Sequence, residues 1–346
     1  MTKQSPRILI TRLSHIGDCV LTMPMLSAIR DYFPSAFIAW AVEAPSNQLL
    51  ANHPSLDEII VIPKGWMGKP SQWGSVRKML KCHQFDVAID PQGITKSSIL
   101  GWLSGAKQRI GIRGRWGREL SPWLNNDLVA TKGAHLLDRS LELLVRIGIP
   151  KTEIRHRFEP DVKSVNFVDD FIEQNKLQRP FAVINPGASW PSKRWVTERF
   201  ADVANHVMQR HGLRSVISWA GPLELDMAES IARGARAATL LAPKTSLQDL
   251  SALLQRAAFF IGCDTGPMHM ATSVGTPCVG LYGPNRPEES GAYGTLNIHV
   301  QAWYQDGSCR ERRNAENLAM RDISVKDVCC ACDGMVKRIQ RQTKAA

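Results

Sequence analysis

The chain lacks several features that would have fixed its class at once. No stretch of its 346 residues approaches the roughly 20 unbroken apolar residues that a membrane-spanning helix needs. The segment 1–7 is polar and runs straight into a strand-like run, so it has no secretory core. A reducing, cytosolic setting is therefore expected, with thiols rather than disulfides at Cys19, Cys82, Cys263, Cys278, Cys309, Cys329, Cys330 and Cys332. No Asp-x-Asp occurs, which removes the usual carboxylate pair for a nucleotide-bound divalent ion. No strand-borne Gly-x-Ser-x-Gly accompanies Ser14, His15 and Asp18, and consecutive residues of one loop rarely reach triad geometry. A Cys-x-Cys pair with no matching second pair is weak evidence for a metal, so a reduced surface cluster is the expectation for Cys309, Cys329, Cys330 and Cys332. Basic-aromatic modules of the single-strand or RNA-binding kinds are also missing, which disfavours nucleic acid.

What is present is ordinary globular composition, 44% hydrophobic and 22% charged, with a net charge of +11. That excess favours anionic partners, although a basic surface kept for solubility accounts for it equally well. Short apolar runs alternate with amphipathic segments from residue 7 onward. Strands are expected at 7–11, 37–42, 59–62 and 85–89, with helices after Asp18 and over 72–83, 95–104 and 134–147. The pattern loosens between 151 and 179. It resumes with strands at 181–185, 215–219, 259–261 and 278–281, with helices over 196–211, 223–234, 246–255 and 325–341. Two doubly wound α/β domains are implied, 1–165 and 166–330, followed by a terminal helix and basic tail over 325–346. Tandem domains of this kind usually hold their ligand in the cleft between the C-terminal edges of both sheets.

The most informative stretch is 259–284. Phe259 to Ile261 is a buried-strand run, Asp264 and Thr265 are N-cap residue types, and Pro267 suits the first helical turn. A second apolar run at 278–281 completes a βαβ unit whose helix start offers free N–H groups and a positive dipole end, a site for phosphate.

Several segments resemble glycosyltransferase family 9, the lipopolysaccharide heptosyltransferases. They are Ser14-His15-Ile16-Gly17-Asp18, Asp90-Pro91-Gln92-Gly93-Ile94-Thr95-Lys96-Ser97, Gly117-Arg118-Glu119-Leu120, Asn185-Pro186-Gly187-Ala188 with Lys193-Arg194-Trp195, and Asp264-Thr265-Gly266-Pro267-Met268-His269. Five segments in order, spread over nearly the whole chain, are specific where any one would be weak. Their order is nearest to that of the members adding the first heptose to the inner core. The resemblance implies a GT-B fold, ADP-heptose bound by the C-terminal domain and a Kdo-bearing lipid A acceptor by the N-terminal one. It also implies inverting transfer with no cofactor and no catalytic metal, with basic side chains and backbone donors neutralising the leaving diphosphate. The same family with another sugar, nucleotide or acceptor is the alternative. A noncatalytic binder of anionic ligands is a third reading, against which Asp18 speaks.

Roles follow residue by residue. Asp18 matches the family's general base, while its bland reading is a helix cap. Lys193 is assigned to the diphosphate; at a helix start a lysine opposes the dipole unless an anion compensates. Ser189 and Ser192 stand beside it. Glu224, with Asp226 as rival, sits where acidic side chains hold ribose hydroxyls. Asp264 suits sugar hydroxyls, since it would repel phosphate; Thr265, Gly266 and Pro267 form the anion site, and His269 faces a phosphate. Lys244 lies in the expected base-binding loop. Ser14, Gly17, Lys96, Arg113, Arg115 and Arg118 are expected on the acceptor side, where arginine fits carboxylates. A basic protein acting on a lipid is expected at the cytoplasmic face of the inner membrane, in peripheral contact.

Overall fold

A computed structural model describes residues 5–150, 152–177 and 180–345. The chain divides into two compact units at Phe158/Glu159.

The first unit carries six parallel strands: β1 (Arg7–Thr11), β2 (Phe37–Val42), β3 (Glu58–Val61), β4 (Val87–Ile89), β5 (Gln108–Ile112) and β6 (Asp127–Val129). Their order is β3-β2-β1-β4-β5-β6. Sequential strands pair outward from β1 on one side, and the chain then returns to start again with β4 on the other. The order therefore reverses between β1 and β4, where the C-terminal edge opens a crevice. β1 and β2 are buried on both faces, as a central parallel strand covered by helices must be. The helix Ile16–Tyr32 has buried side chains on every side through most of its length, and accordingly little amphipathic signal.

The second unit repeats the plan. Its strands β7 (Ala182–Asn185), β8 (Ser215–Ile217), β9 (Thr239–Leu241), β10 (Phe259–Cys263), β11 (Cys278–Tyr282) and β12 (Ile298–Gln301) lie in the order β12-β11-β10-β7-β8-β9. Numbered from its own first strand, this sheet has the same order as the other. Its reversal point lies between β7 and β10.

Sequence reading and structure differ at identifiable places. β5, β6, β9 and β12 went unread, being short strands of three to five residues, each with Gln, Arg, Asp, Thr or His in it. The loosened stretch 151–179 contains the helix Val162–Gln174, capped by Asp161 through the N–H of Ser164. That helix belongs wholly to the second unit, so the division comes before the expected 165/166. The terminal helix Val325–Ala345 is no appendage. It packs on the helix Thr197–His211, and Val328, Ala331, Cys332 and Met335 enter the second unit's core. Asp333 Oδ1 fastens it, receiving His206 Nε2 at 2.9 Å and His211 Nε2 at 2.6 Å. Cys329 and Cys332 are buried there, which corrects the expected surface cluster; of its four cysteines, Cys309 and Cys330 are exposed. Burial pushes the Cys329 thiol up to about 11, so it stays protonated at neutral pH.

Candidate active site

In the first unit the loop leaving β1 carries Arg12, and the first turn of the following helix carries Asp18. Arg12 is 4% exposed, yet its guanidinium reaches Asp18 Oδ2 at 2.6 Å and donates to the Pro91 carbonyl at 3.2 Å. Asp18 keeps a third of its side chain in solvent, and His15 Nδ1 lies 3.7 Å from the same oxygen. A fixed cation thus orients a carboxylate that remains accessible. Ser14 is half-buried in this loop, and Gly17, in the first turn of the helix, is buried.

The loop leaving β4 is built around Asp90. Its Oδ1 accepts from the N–H groups of Gln92 and Gly93 at 3.1 and 3.0 Å, and its Oδ2 from Ser98 Oγ at 2.5 Å. Gly93 has φ of +64°, and a side chain there would strike the Trp116 carbonyl, so only glycine fits. Gln92 Oε1 accepts the Leu13 N–H at 2.9 Å, tying this loop to the Asp18 loop. Lys96 does not stand free for an acceptor: its Nζ is 2.5 Å from Glu43 Oε1, in the loop after β2. Arg113, Arg115 and Arg118 are exposed, with Arg115 over the Trp116 ring at 4.3 Å.

The second unit gathers its charges more tightly. Lys193 closes the short turn Pro191–Lys193 after β7, and its Nζ lies 2.9 Å from Asp264 Oδ2 and 4.6 Å above the Trp190 ring. The anion that compensates this lysine is therefore Asp264, and the helix beyond begins only at Thr197. Asp264 Oδ2 also accepts from Asn285 Nδ2 at 2.6 Å, while Oδ1 is 3.5 Å from His269 Nε2. Burial alone would push the Asp264 carboxyl up, but Lys193 and His269 outweigh it and hold the group well below the usual carboxylate range. The expected capping of the helix Gly266–Ser273 by side chains is absent: Thr265 occupies the N-cap position without a side-chain bond, and Asp264 is turned to Lys193 and Asn285 instead. Thr265, Gly266 and Pro267 remain half-buried at that end. Among the buried polar atoms without a hydrogen-bond partner in the described residues, Ser192 Oγ and His269 Nδ1 belong to this part of the unit. Such atoms are uncommon in folded proteins and call for a ligand or water.

Glu224 settles against the other side of the β7 loop. Its carboxylate accepts the Ala220 N–H at 2.8 Å and takes the space a side chain on Gly187 would need. Burial raises the Glu224 carboxyl, against the pull of the Ala220 N–H and Arg194. Asp226, the rival, is exposed, as are Ser189 and Lys244.

Sequence reasoning missed Arg12, Glu43, Asn285 and Trp190. Arg12, Glu43 and Asn285 each follow a strand's C-terminal end within a few residues, the position that did draw attention to Asp264. A second missed element is the helix Cys309–Asn314. Its Arg312 donates to the Pro284 carbonyl at 2.6 Å, and its Arg313 lies 5.6 Å from the Trp190 ring.

Two doubly wound sheets of matching order, each with charged loops at its C-terminal edge, give the chain the GT-B fold. The sequence profile of glycosyltransferase family 9 (heptosyltransferase) matches residues 73–320. The lipopolysaccharide core heptosyltransferase OpsX of Haemophilus influenzae is 31% identical over 316 residues, 90% of this chain and 88% of that protein. The crystal structure of a family 9 glycosyltransferase from Veillonella parvula superposes with a TM-score of 0.80 at 25% identity, covering 97% of this chain and 99% of that one. The E. coli heptosyltransferase WaaC with ADP-2-deoxy-2-fluoro heptose gives 0.73 at 22% identity, covering 97% and 99%. The chain belongs to glycosyltransferase family 9, the heptosyltransferases.

Proposed function

We propose that this protein transfers heptose from ADP-heptose to a Kdo-bearing lipid A acceptor, with inversion and without a catalytic metal. The acceptor hydroxyl oxygen attacks the anomeric carbon, the bond from that carbon to the diphosphate oxygen breaks, ADP departs, and the hydroxyl proton passes to Asp18. Arg12 orients the carboxylate for that proton. A general base of this sort contributes typically about 10²–10⁴-fold. On the donor side, Lys193, His269 and the start of the helix Gly266–Ser273 meet the diphosphate, with Ser192 donating a hydroxyl. Glu224 takes the ribose hydroxyls, Asp264 those of the sugar, and Lys244 belongs to the loop beside the base. Arg113, Arg115 and Arg118 receive the acceptor's carboxylates and phosphates. Lys96 acts from its pair with Glu43.

The observation that carries this reading is the Lys193–Asp264–His269–Asn285 cluster, with Asp264 and His269 buried and Lys193 and Asn285 half-buried, beside an uncapped helix start at the strand-order reversal of the second sheet. Support comes also from the missing Asp-x-Asp. No described helix is long and apolar enough to cross a membrane, and we place the enzyme in peripheral contact with the cytoplasmic face of the inner membrane. The test is a panel of nucleotide sugars screened for protection against thermal unfolding, followed by mass analysis of the acceptor. Protection by a different nucleotide sugar, with that sugar added to the acceptor, would replace the heptose assignment.

A further inference from the structure

Beside the arginines assigned to the acceptor, the first unit exposes large apolar side chains to which the transfer chemistry gives no role. Trp123 is 87% exposed, Leu120 58% and Trp102 53%, although aromatic and aliphatic side chains of this size dominate cores and interfaces. The Asp90 network joins the helix that carries Trp102 to the turn that carries Trp123. Ser98 Oγ meets Ser121 Oγ at 2.8 Å and Asn125 Nδ2 reaches Ser98 Oγ at 3.2 Å, which lays the turn Ser121–Leu124 on the Ser98 face of the helix Thr95–Ser104. Trp102, four residues beyond Ser98, projects from that face one turn on. Leu120 is fixed beside them by its N–H to Thr95 Oγ1 at 3.1 Å.

Basic residues adjoin the turn: the Arg118 carbonyl accepts the Ser121 N–H at 3.1 Å, and Arg109 Nε donates to the Leu124 carbonyl at 2.9 Å. Between 101 and 125 stand Lys107, Arg109, Arg113, Arg115 and Arg118 against Glu119 alone. The Lys107 carbonyl accepts from Asn126 Nδ2 at 2.8 Å, which holds that exposed lysine next to the Ser121–Leu124 turn. Indole rings belong at the level of lipid headgroups, and guanidinium and ammonium groups gain on an anionic leaflet. An aromatic patch with a cationic rim is complementary to such a leaflet in both respects.

We propose that Trp102, Leu120 and Trp123, with their basic rim, are the surface by which this protein binds an anionic lipid bilayer. The inference extends the proposed function, since a lipid-borne acceptor requires the enzyme at a membrane, but its test is separable. Wild-type protein should co-sediment at low salt with vesicles of phosphatidylethanolamine and phosphatidylglycerol, and only weakly with phosphatidylcholine alone. Brominated lipid should quench its tryptophan fluorescence. The W102S/L120S/W123S variant should lose at least about tenfold in partitioning, while its transfer to a lipid-free, Kdo-terminated soluble acceptor is unchanged. W123S alone, at a position with almost no packing to lose, should show the same direction if the triple variant misfolds. Sedimentation of the variants equal to wild type, or no sedimentation of wild type, overturns the proposal. So does a wild-type dimer that the substitutions split while vesicle binding is absent, since the patch would then belong to a second copy. Vesicle binding by wild type that transfers nothing to the soluble acceptor would overturn the transfer reading and leave the surface standing.

Discussion

The two units share a strand order and differ in how they treat charge at the same topological position. In the first, the Arg12–Asp18 pair stands with its carboxylate one-third exposed. In the second, Lys193 and Asp264 are 12% and 6% exposed, and Asp264 is shared with His269 and Asn285. A carboxylate that must accept a proton from an incoming hydroxyl has to be reachable, and the first arrangement leaves it so. A cradle for a diphosphate works best with donors already fixed and desolvated, where each is worth more than in water. The same fold thus provides an open site and a preorganised one, through the residues that follow β1 and β7.

That contrast can be broken first at Asp18. Asp18→Asn should lower the transfer rate by about 10²–10⁴ while nucleotide-sugar affinity by calorimetry stays near that of wild type; near-normal turnover would remove the base. Asp264→Ala should act on stability, because Lys193 and His269 would be left buried without their anion. A loss of about 3–5 kcal/mol is expected in denaturant unfolding, and a change within error would show that the cluster is not preorganised. Lys193→Ala comes next, with weaker donor binding and slower leaving-group departure. Unchanged donor affinity and rate would take it out of the phosphate site.

Two pH effects separate the carboxylates of the second unit: both are losses on acidification, but the opposite pKa shifts place them on opposite sides of the ordinary carboxylate range. Asp264 titrates below the ordinary range, so its contribution to stability is complete above the usual aspartate pKa of about 3.9 and is lost only as pH falls further. Glu224 titrates above the ordinary range, so if ribose hydroxyls need its ionised form, donor affinity should begin to fall at a higher pH than a free glutamate would dictate. Glu224→Gln should flatten that fall. An identical acid limb in the variant would assign the ribose contact elsewhere, Asp226 included. The smallest effect is expected at Lys96, where Lys96→Ala should change acceptor KM by a few-fold at most, since its charge is already met by Glu43.

How much of this was legible in the chain depends on the range of each signal. β1, β2 and the helix Thr95–Ser104 were read to the residue, because apolar runs and their Gly, Pro or polar boundaries are local. β12, with His299 and Gln301 in a four-residue strand, borrows its stability from pairing with β11, and nothing local announces it. Asp18, Lys193, Asp264 and His269 could be nominated from motif likeness. That Asp264 would be the partner of Lys193, 71 residues away, could not be seen, because the contact follows from β7 lying beside β10. Asn285 and the Arg312–Arg313 pair were missed for the same reason. Arg12 was overlooked because it reads as an ordinary polar residue after a strand, whereas its burial and its hold on Asp18 are tertiary facts.

The helix Val325–Ala345, fastened through Asp333 to His206 and His211, bears on the order of biosynthesis. Residues 5–158 can collapse while the ribosome is still at work, since every strand of their sheet has by then emerged. The sheet begun at Ala182 lacks one wall until the terminal helix leaves the exit tunnel. For that interval the apolar side chains that the helix covers, Phe200, Val203 and Val207 of the same core among them, have no wall against solvent.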